Sequence, residues 1–264
     1  MLTEEKKMNE LLDIQNLSVE FGSHFAVKNA NIRIFPGEFV ALVGESGSGK
    51  TVTSLSIMNL LPENAKVTGK IEFNGKNKSM IFQEPMTSLN PLIKAGRQIE
   101  ESALLHGLSK KEAHEKALKI AKLAGLTNTD RIFNSWPHEL SGGMRQRVMI
   151  ASALMTDPEL LIADEPTTAL DVSTQNKILE LIQNLRQNFN TSLLMITHDF
   201  SVVKKLCSRI YIMYKGQIVE EGETRQILEN PKHPYTKALI DAIPDAKKRN
   251  RELPSFSDGN SGGF

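Results

Sequence analysis

Apolar and polar residues alternate loosely along Leu12–Phe21 and again along Val27–Phe35, the two-residue period of strands with one covered face. Pro36-Gly37-Glu38 makes a turn into Phe39–Val43, where alternation gives way to a continuous apolar run. Similar runs at Leu160–Ala163 and Leu193–Ile196 have the length of parallel strands buried on both faces. Lys70–Asn74, Ser79–Phe82, Arg209–Met213 and Gln217–Glu220 read as further strands, and Lys50 to about Leu60 as a helix. From about Pro91 to Met155 the period changes. Ile99–His106, Lys111–Ala124 and Gly142–Met155 carry apolar positions at three- and four-residue intervals, with Gly125 placed as a C′ glycine. Strand–helix alternation then resumes, with helices at Val172–Phe189 and Val202–Leu206. The pattern predicts an α/β domain with parallel-sheet units and an inserted helical lobe.

Two prolines in Asn230-Pro231-Lys232-His233-Pro234 interrupt regular structure, and Tyr235–Ile243 reads as a short helix. The Ser- and Gly-rich Pro254–Phe264 reads as a disordered tail. The chain has 264 residues, 40% of them hydrophobic, enough to build a full core. Thirty-two basic residues against 31 acidic ones give no support for nucleic-acid binding. The single cysteine, Cys207, excludes a disulfide within the chain and an all-cysteine metal site; it is expected half-buried on a helix. Met1–Glu10 is polar, and no run reaches the roughly twenty apolar residues of a membrane span. A cytosolic protein, or one held at a membrane by partners, is expected.

Candidate chemistry sharpens this outline. Gly44-Glu45-Ser46-Gly47-Ser48-Gly49-Lys50-Thr51 follows a strand and opens a helix in the phosphate-loop pattern. Its glycines let backbone N–H groups wrap an anion, Lys50 sets a charge against the β- and γ-phosphates, and the Thr51 hydroxyl can ligate Mg²⁺. Asp164-Glu165 ends an apolar strand, where ligands bind in open α/β sheets. One of these carboxylates can hold Mg²⁺ and the other can orient or deprotonate an attacking water. Leu140-Ser141-Gly142-Gly143 opens a helix, with Met144-Arg145-Gln146-Arg147 in its first turn, and forms a second anion site.

The ordered set of phosphate loop, Leu140–Arg147 and Asp164-Glu165 resembles the ATP-binding-cassette (ABC) family along nearly the whole chain. The resemblance implies an α/β P-loop NTPase (RecA-like) core with an antiparallel β subdomain and an inserted helical subdomain. The ATPase domain would span 9–225, its helical subdomain about 91–155, and a short C-terminal extension 226–264. It implies that Asp164 holds Mg²⁺, that Glu165 serves the water, and that Ser141, Gly142 and Gly143 close on ATP bound to a partner subunit. Gln83 matches the family's glutamine loop, which contacts Mg²⁺ or water and the membrane partner. Asp171, in Ala169-Leu170-Asp171, matches the aspartate that crosses the dimer interface, and His198 the switch histidine at the γ-phosphate. Phe21 lies where the family places an aromatic that stacks on adenine; it reads equally as a core strand residue.

Met80–Pro91, Pro137-His138-Glu139 and His233-Pro234-Tyr235-Thr236-Lys237-Ala238-Leu239 resemble the ATPases of oligopeptide, dipeptide and nickel importers. Relatives carry a longer charged stretch where Gly75–Lys78 stands, which is expected to reshape the small antiparallel subdomain. Some also carry an iron–sulfur cluster in a longer extension; the lack of cysteine after Cys207 predicts none here. The implied protein is the ATPase subunit of an importer of peptides or nickel (metal complexes included), peripheral on the cytoplasmic face of the inner membrane. Its implied partners are a second ATPase, two transmembrane permease subunits and, indirectly, a substrate-binding protein. Whether the second ATPase is identical stays open, though a non-identical one is expected. A soluble mechanical ABC module is the rival, lacking here the tandem cassette or coiled coil it would need. An exporter subunit is disfavoured by the missing membrane span and the His-Pro-Tyr phrase.

Overall fold

The computed structural model describes residues 10–83, 88–167 and 171–243. Part of the Met80–Pro91 phrase, Ala169-Leu170 and the tail from Pro254 lie outside the described residues.

Two sheets form the frame. In the first, β1 (Leu12–Phe21) lies between β2 (His24–Ile34) and β4 (Ala65–Phe73), all antiparallel. A bulge shifts the β1–β4 register between Gln15 and Ser18, with Asn16 at φ 51°. Opposite it stands Gly69, where a Cβ would lie 2.4 Å from the Asn16 carbonyl oxygen, so only glycine fits. The second sheet has the order β5 (Lys78–Ile81), β6 (Leu160–Asp164), β7 (Ser192–Thr197), β3 (Phe39–Val43), β8 (Arg209–Tyr214), β9 (Gln217–Glu223). Its pairs are parallel except β8–β9. The short Gly75–Lys78 link therefore leads directly from the antiparallel sheet to the edge of the parallel one.

The apolar runs are divided by the strand period. Phe39, Ala41 and Val43 of β3 join a core with the helices, whereas Val40 and Leu42 join a core with the antiparallel sheet. The same division separates Leu161 and Ala163 from Leu160 and Ile162 in β6, and Leu193 and Met195 from Leu194 and Ile196 in β7. Each strand is thus covered on both faces, which is why alternation is lost from its sequence.

Among the described residues, helices run over α1 (Lys50–Met58), α2 (Ala95–Leu105), α3 (Lys110–Leu123), α4 (Thr129–Asn134), α5 (Gly142–Leu154), α6 (Val172–Phe189), α7 (Phe200–Leu206), α8 (Thr224–Glu229) and α9 (Pro234–Asp241). The lobe from α2 to α5 includes two elements the sequence pattern missed, α4 and a 3₁₀ turn at Pro137–Glu139. Both are too short to display a period. α3 begins with a capping box between Ser109 and Glu112 and ends at Gly125, whose φ is +71°. A Cβ on Gly125 would also lie 2.1 Å from Nη1 of Arg147, which donates to the Ala124 carbonyl at 2.6 Å. The first turns of α5 are thereby pinned to the end of α3. β4 begins at Ala65, five residues before the expected strand, because β1 pairs along its whole length. Cys207 is a correction: it lies just past α7 in extended backbone and is buried. Burial pushes its thiol up to about 12.

Candidate nucleotide site

The strand order β5-β6-β7-β3 sets four carboxyl ends side by side. From these ends emerge Gln83, Asp164-Glu165, His198 and the loop Gly44–Thr51. This is the edge of an open α/β sheet that binds ligands.

The loop is held by its backbone. Gly49 caps α1 at φ +105°, and a Cβ there would lie 2.4 Å from the Ala26 carbonyl of β2. A Cβ on Gly44 would lie 2.2 Å from the Met213 carbonyl of β8. The Gly216 N–H, in the β8–β9 turn, donates to Ser48 O at 3.0 Å. Lys50 is only 6% exposed, and its Nζ donates to the carbonyls of Gly44 and Glu45, both at 2.8 Å. Desolvation lowers its pKa, opposed by the charges of Glu165, Asp164 and Glu45. Ser46 and Gly47 complete the exposed tip, with Gly47 at φ +78°.

Asp164 is 2% exposed, and its Oδ1 is buried with no hydrogen-bond partner among the described residues. Burial raises its pKa, while a hydrogen bond from Thr51 and the charge of Lys50 pull it back and Glu165 pushes it up. Glu165 is held at φ 45° by its N–H donating to Ile196 O at 2.8 Å. Its carboxylate lies between two side chains: Oε1 is 3.2 Å from His198 Nδ1, and Oε2 accepts from Gln83 Nε2 at 3.4 Å. His198 is 65% exposed, and Gln83 is also exposed. The structure brings Lys50, Thr51, Asp164, Glu165, His198 and Gln83 together.

Ser141, Gly142 and Gly143 stand elsewhere, at the start of α5. Ser141 is the N-cap, its Oγ accepting the Met144 N–H at 3.3 Å. A Cβ on Gly143 would lie 2.8 Å from Cγ2 of Thr174, and a Cβ on Gly142 would meet no atom of the described residues within 4 Å. Asp171 caps α6 by accepting from the same Thr174, at Oδ1 from its N–H (2.9 Å) and at Oδ2 from its hydroxyl (2.7 Å). Those bonds lower the Asp171 pKa. Thr174 thus joins the Ser-Gly-Gly turn to Asp171, a link sequence reading missed for want of any motif. Phe21 ends β1, pairs with His24 and Ala65, and packs half-buried on the core of the antiparallel sheet.

A further group missed from sequence meets the entry of the loop. The Glu45 N–H donates to the Tyr235 hydroxyl at 3.0 Å. Tyr235 had been legible only as part of the His-Pro-Tyr phrase.

A glycine-rich loop closed on a lysine, beside a buried aspartate and a half-buried glutamate at a nearby strand end, defines a P-loop nucleotide hydrolase. Residues 27–168 match the ABC transporter family, and residues 219–261 the oligopeptide/dipeptide transporter C-terminal region. The oligopeptide transport ATP-binding protein AppD of Bacillus subtilis is 46% identical over 260 residues, covering 90% of this chain and 79% of AppD. The oligopeptide transport ATP-binding protein OppD of Salmonella typhimurium is 42% identical over 266 residues, covering 93% of this chain and 79% of OppD. Among solved structures, the ATP-binding cassette MJ0796, a dimer in a post-hydrolysis state bound to ADP and Pi, superposes with a TM-score of 0.72. It is 30% identical, over 81% of this chain and 99% of that one. The chain belongs to the ABC transporter family of ATP-binding proteins.

Proposed function

We propose that this chain is the ATP-binding and hydrolysing subunit of an ABC importer whose cargo is a peptide. The observation that carries the catalytic part is Glu165, held between His198 and Gln83 at the end of β6, two strands from the β3 that leads into the phosphate loop. Glu165 serves as the base or orienter of the attacking water, and His198, at the end of β7, reaches the γ-phosphate side. Loop N–H groups, the start of α1 and Lys50 bind the phosphates, so rate comes from positioning and electrostatics. Phe21 is the residue proposed to stack on adenine.

The Oδ1 of buried Asp164, unpartnered among the described residues, and the adjacent Thr51 hydroxyl fit a hard divalent cation, with Gln83 as a further oxygen donor. Mg²⁺ bound there would neutralise charge on the β- and γ-phosphate oxygens. Thr51 and Asp164 would hold it, and Lys50 would share the phosphate charge.

Ser141, Gly142 and Gly143 lie on another element than the phosphate loop, and their open turn is suited to phosphates bound by a second ATPase subunit. The dimeric MJ0796 cassette supports that reading. Asp171 would cross the same interface. The second ATPase is proposed to be a different chain, and two membrane permeases and a substrate-binding protein would complete the importer. Among the described residues no helix is long and apolar enough to cross a membrane; attachment to such partners on the cytoplasmic face is proposed. Exposed Phe82 and Leu92 flank the Gln83 region and suit contact with a permease. A peptide cargo follows from the matching 219–261 region and the names of AppD and OppD.

The test is to trap the complex with Glu165→Gln. Membranes solubilised in mild detergent with MgATP should yield two multi-span proteins and a second ATPase with the tagged variant. Recovery of soluble partners alone would overturn the importer reading.

A further inference from the structure

The C-terminal segment meets the phosphate loop through the Tyr235 hydroxyl. β9 supplies the anchor: the Glu220 carboxylate accepts N–H bonds from Lys232 (2.7 Å) and His233 (3.0 Å). His233 then caps α9, its Nδ1 accepting the Tyr235 N–H at 3.2 Å, and Pro234 occupies the first turn. These bonds set the start of α9 beside the end of β8. Tyr235 is 1% exposed, stacked on Tyr214 with centroids 4.1 Å apart and ring planes at 30°. From that fixed ring the hydroxyl oxygen accepts the Glu45 N–H at 3.0 Å. Burial pushes the phenol up to about 12, so the group is a neutral hydroxyl at physiological pH. A cavity of about 550 Å³ beside it is lined by Gly44, Glu45, His198, Tyr235 and Leu239, so α9 also borders the switch histidine.

We propose that Tyr235 is a positioning residue for nucleotide binding: by holding the Glu45 amide it sets the entry of the phosphate loop, so that α9 is coupled to the loop's affinity for ATP. The inference rests on the assignment of Gly44–Thr51 as the ATP site. The physical basis is that the loop binds phosphates with its backbone, and a displaced backbone of well under 1 Å misdirects those N–H groups. The Gly44 and Glu45 carbonyls also receive Lys50, so the residue Tyr235 holds is one that sets the lysine. A tyrosine that merely filled the core would need its ring and not its oxygen.

The test is fluorescence titration of the full chain with mant-ATP and Mg²⁺, below the unfolding temperature of every variant, with ATPase KM and kcat measured alongside. Tyr235→Phe keeps the ring and removes the oxygen. It should weaken mant-ATP binding about three- to tenfold, the worth of one hydrogen bond, with KM rising more than kcat falls. Glu220→Ala, which frees the start of α9 without touching the loop, should weaken binding in the same direction. Unchanged affinity in Tyr235→Phe, with the parent binding normally, overturns the inference alone. A parent that does not bind mant-ATP, or whose binding survives Lys50→Ala, overturns the site assignment and the inference with it.

Discussion

Replacing Asp164 by asparagine should make the nucleotide-free protein more stable while removing its response to MgATP. The carboxylate is 2% exposed, with Oδ1 unpartnered among the described residues, and desolvation is the largest influence on its pKa, outweighing the Thr51 hydrogen bond and the Lys50 charge. Leaving a buried polar atom unsatisfied costs about 1–3 kcal/mol, and more for a charged one. Asparagine has the same shape without the charge, so a gain of about 1 kcal/mol is expected at neutral pH, against which the lost attraction to Lys50 has been set. For a domain of this size that is roughly 2–4 °C in melting temperature. The pH dependence has a definite sign. The folded-state pKa of Asp164 lies above its unfolded value, so the native parent binds a proton that the unfolded chain has released. Parental stability from this group is therefore complete below the unfolded pKa and is lost as pH rises through the folded one. The advantage of Asp164→Asn should vanish in acid, grow across that interval and then level off. The assay is thermal unfolding at several pH values, each with and without MgATP. Ligand at a hundred times Kd stabilises by about 2.7 kcal/mol, so the parent should gain roughly 5–11 °C. The variant should gain little of this if Asp164 carries the metal. A folded Asp164→Asn protein less stable than the parent at neutral pH would refute the argument that buried charge dominates here, and an undiminished MgATP shift would refute the metal role.

Gly44→Ala should cost about 1–3 kcal/mol in urea unfolding, because its Cβ would lie 2.2 Å from the Met213 carbonyl and the loop must leave β8. Nucleotide affinity should fall with it, read by the same titration. Glu165→Gln should reduce the ATPase kcat by about 10²–10⁴-fold in steady-state assays while leaving MgATP binding intact, since only the base is removed. Arg209→Ala should destabilise by about 2 kcal/mol in urea unfolding. Its guanidinium joins Glu38 (2.8 and 2.9 Å), the Tyr211 hydroxyl (2.6 Å) and the Arg33 carbonyl (2.5 Å), tying β8 to the ends of β2 and β3. MgATP binding measured on the folded fraction should not change, because those contacts lie at the opposite end of β3 from the loop.

The residues of the phosphate loop, Asp164-Glu165 and the Ser141 turn were legible because each depends on local chemistry. Glycine where the backbone bends back, a lysine and a hydroxyl at a helix start, and carboxylates after an apolar run are all short-range arrangements. The strands were legible for a similar reason: burial on both faces writes itself as a continuous apolar run. What the sequence could not contain was the strand order. Only the pairing of β6 with β7 and of β7 with β3 brings Glu165 within 3.2 Å of His198, 33 residues away, and puts both beside the loop. Nor does any local pattern foretell that Thr174 serves both Gly143 and Asp171, or that α4 forms. The Tyr235–Glu45 bond spans 190 residues and rests on one hydroxyl meeting one amide. Such a contact leaves no periodicity and no motif in the chain, because its partners are chosen by the packing of α9 against the end of β8 and not by their neighbours in sequence.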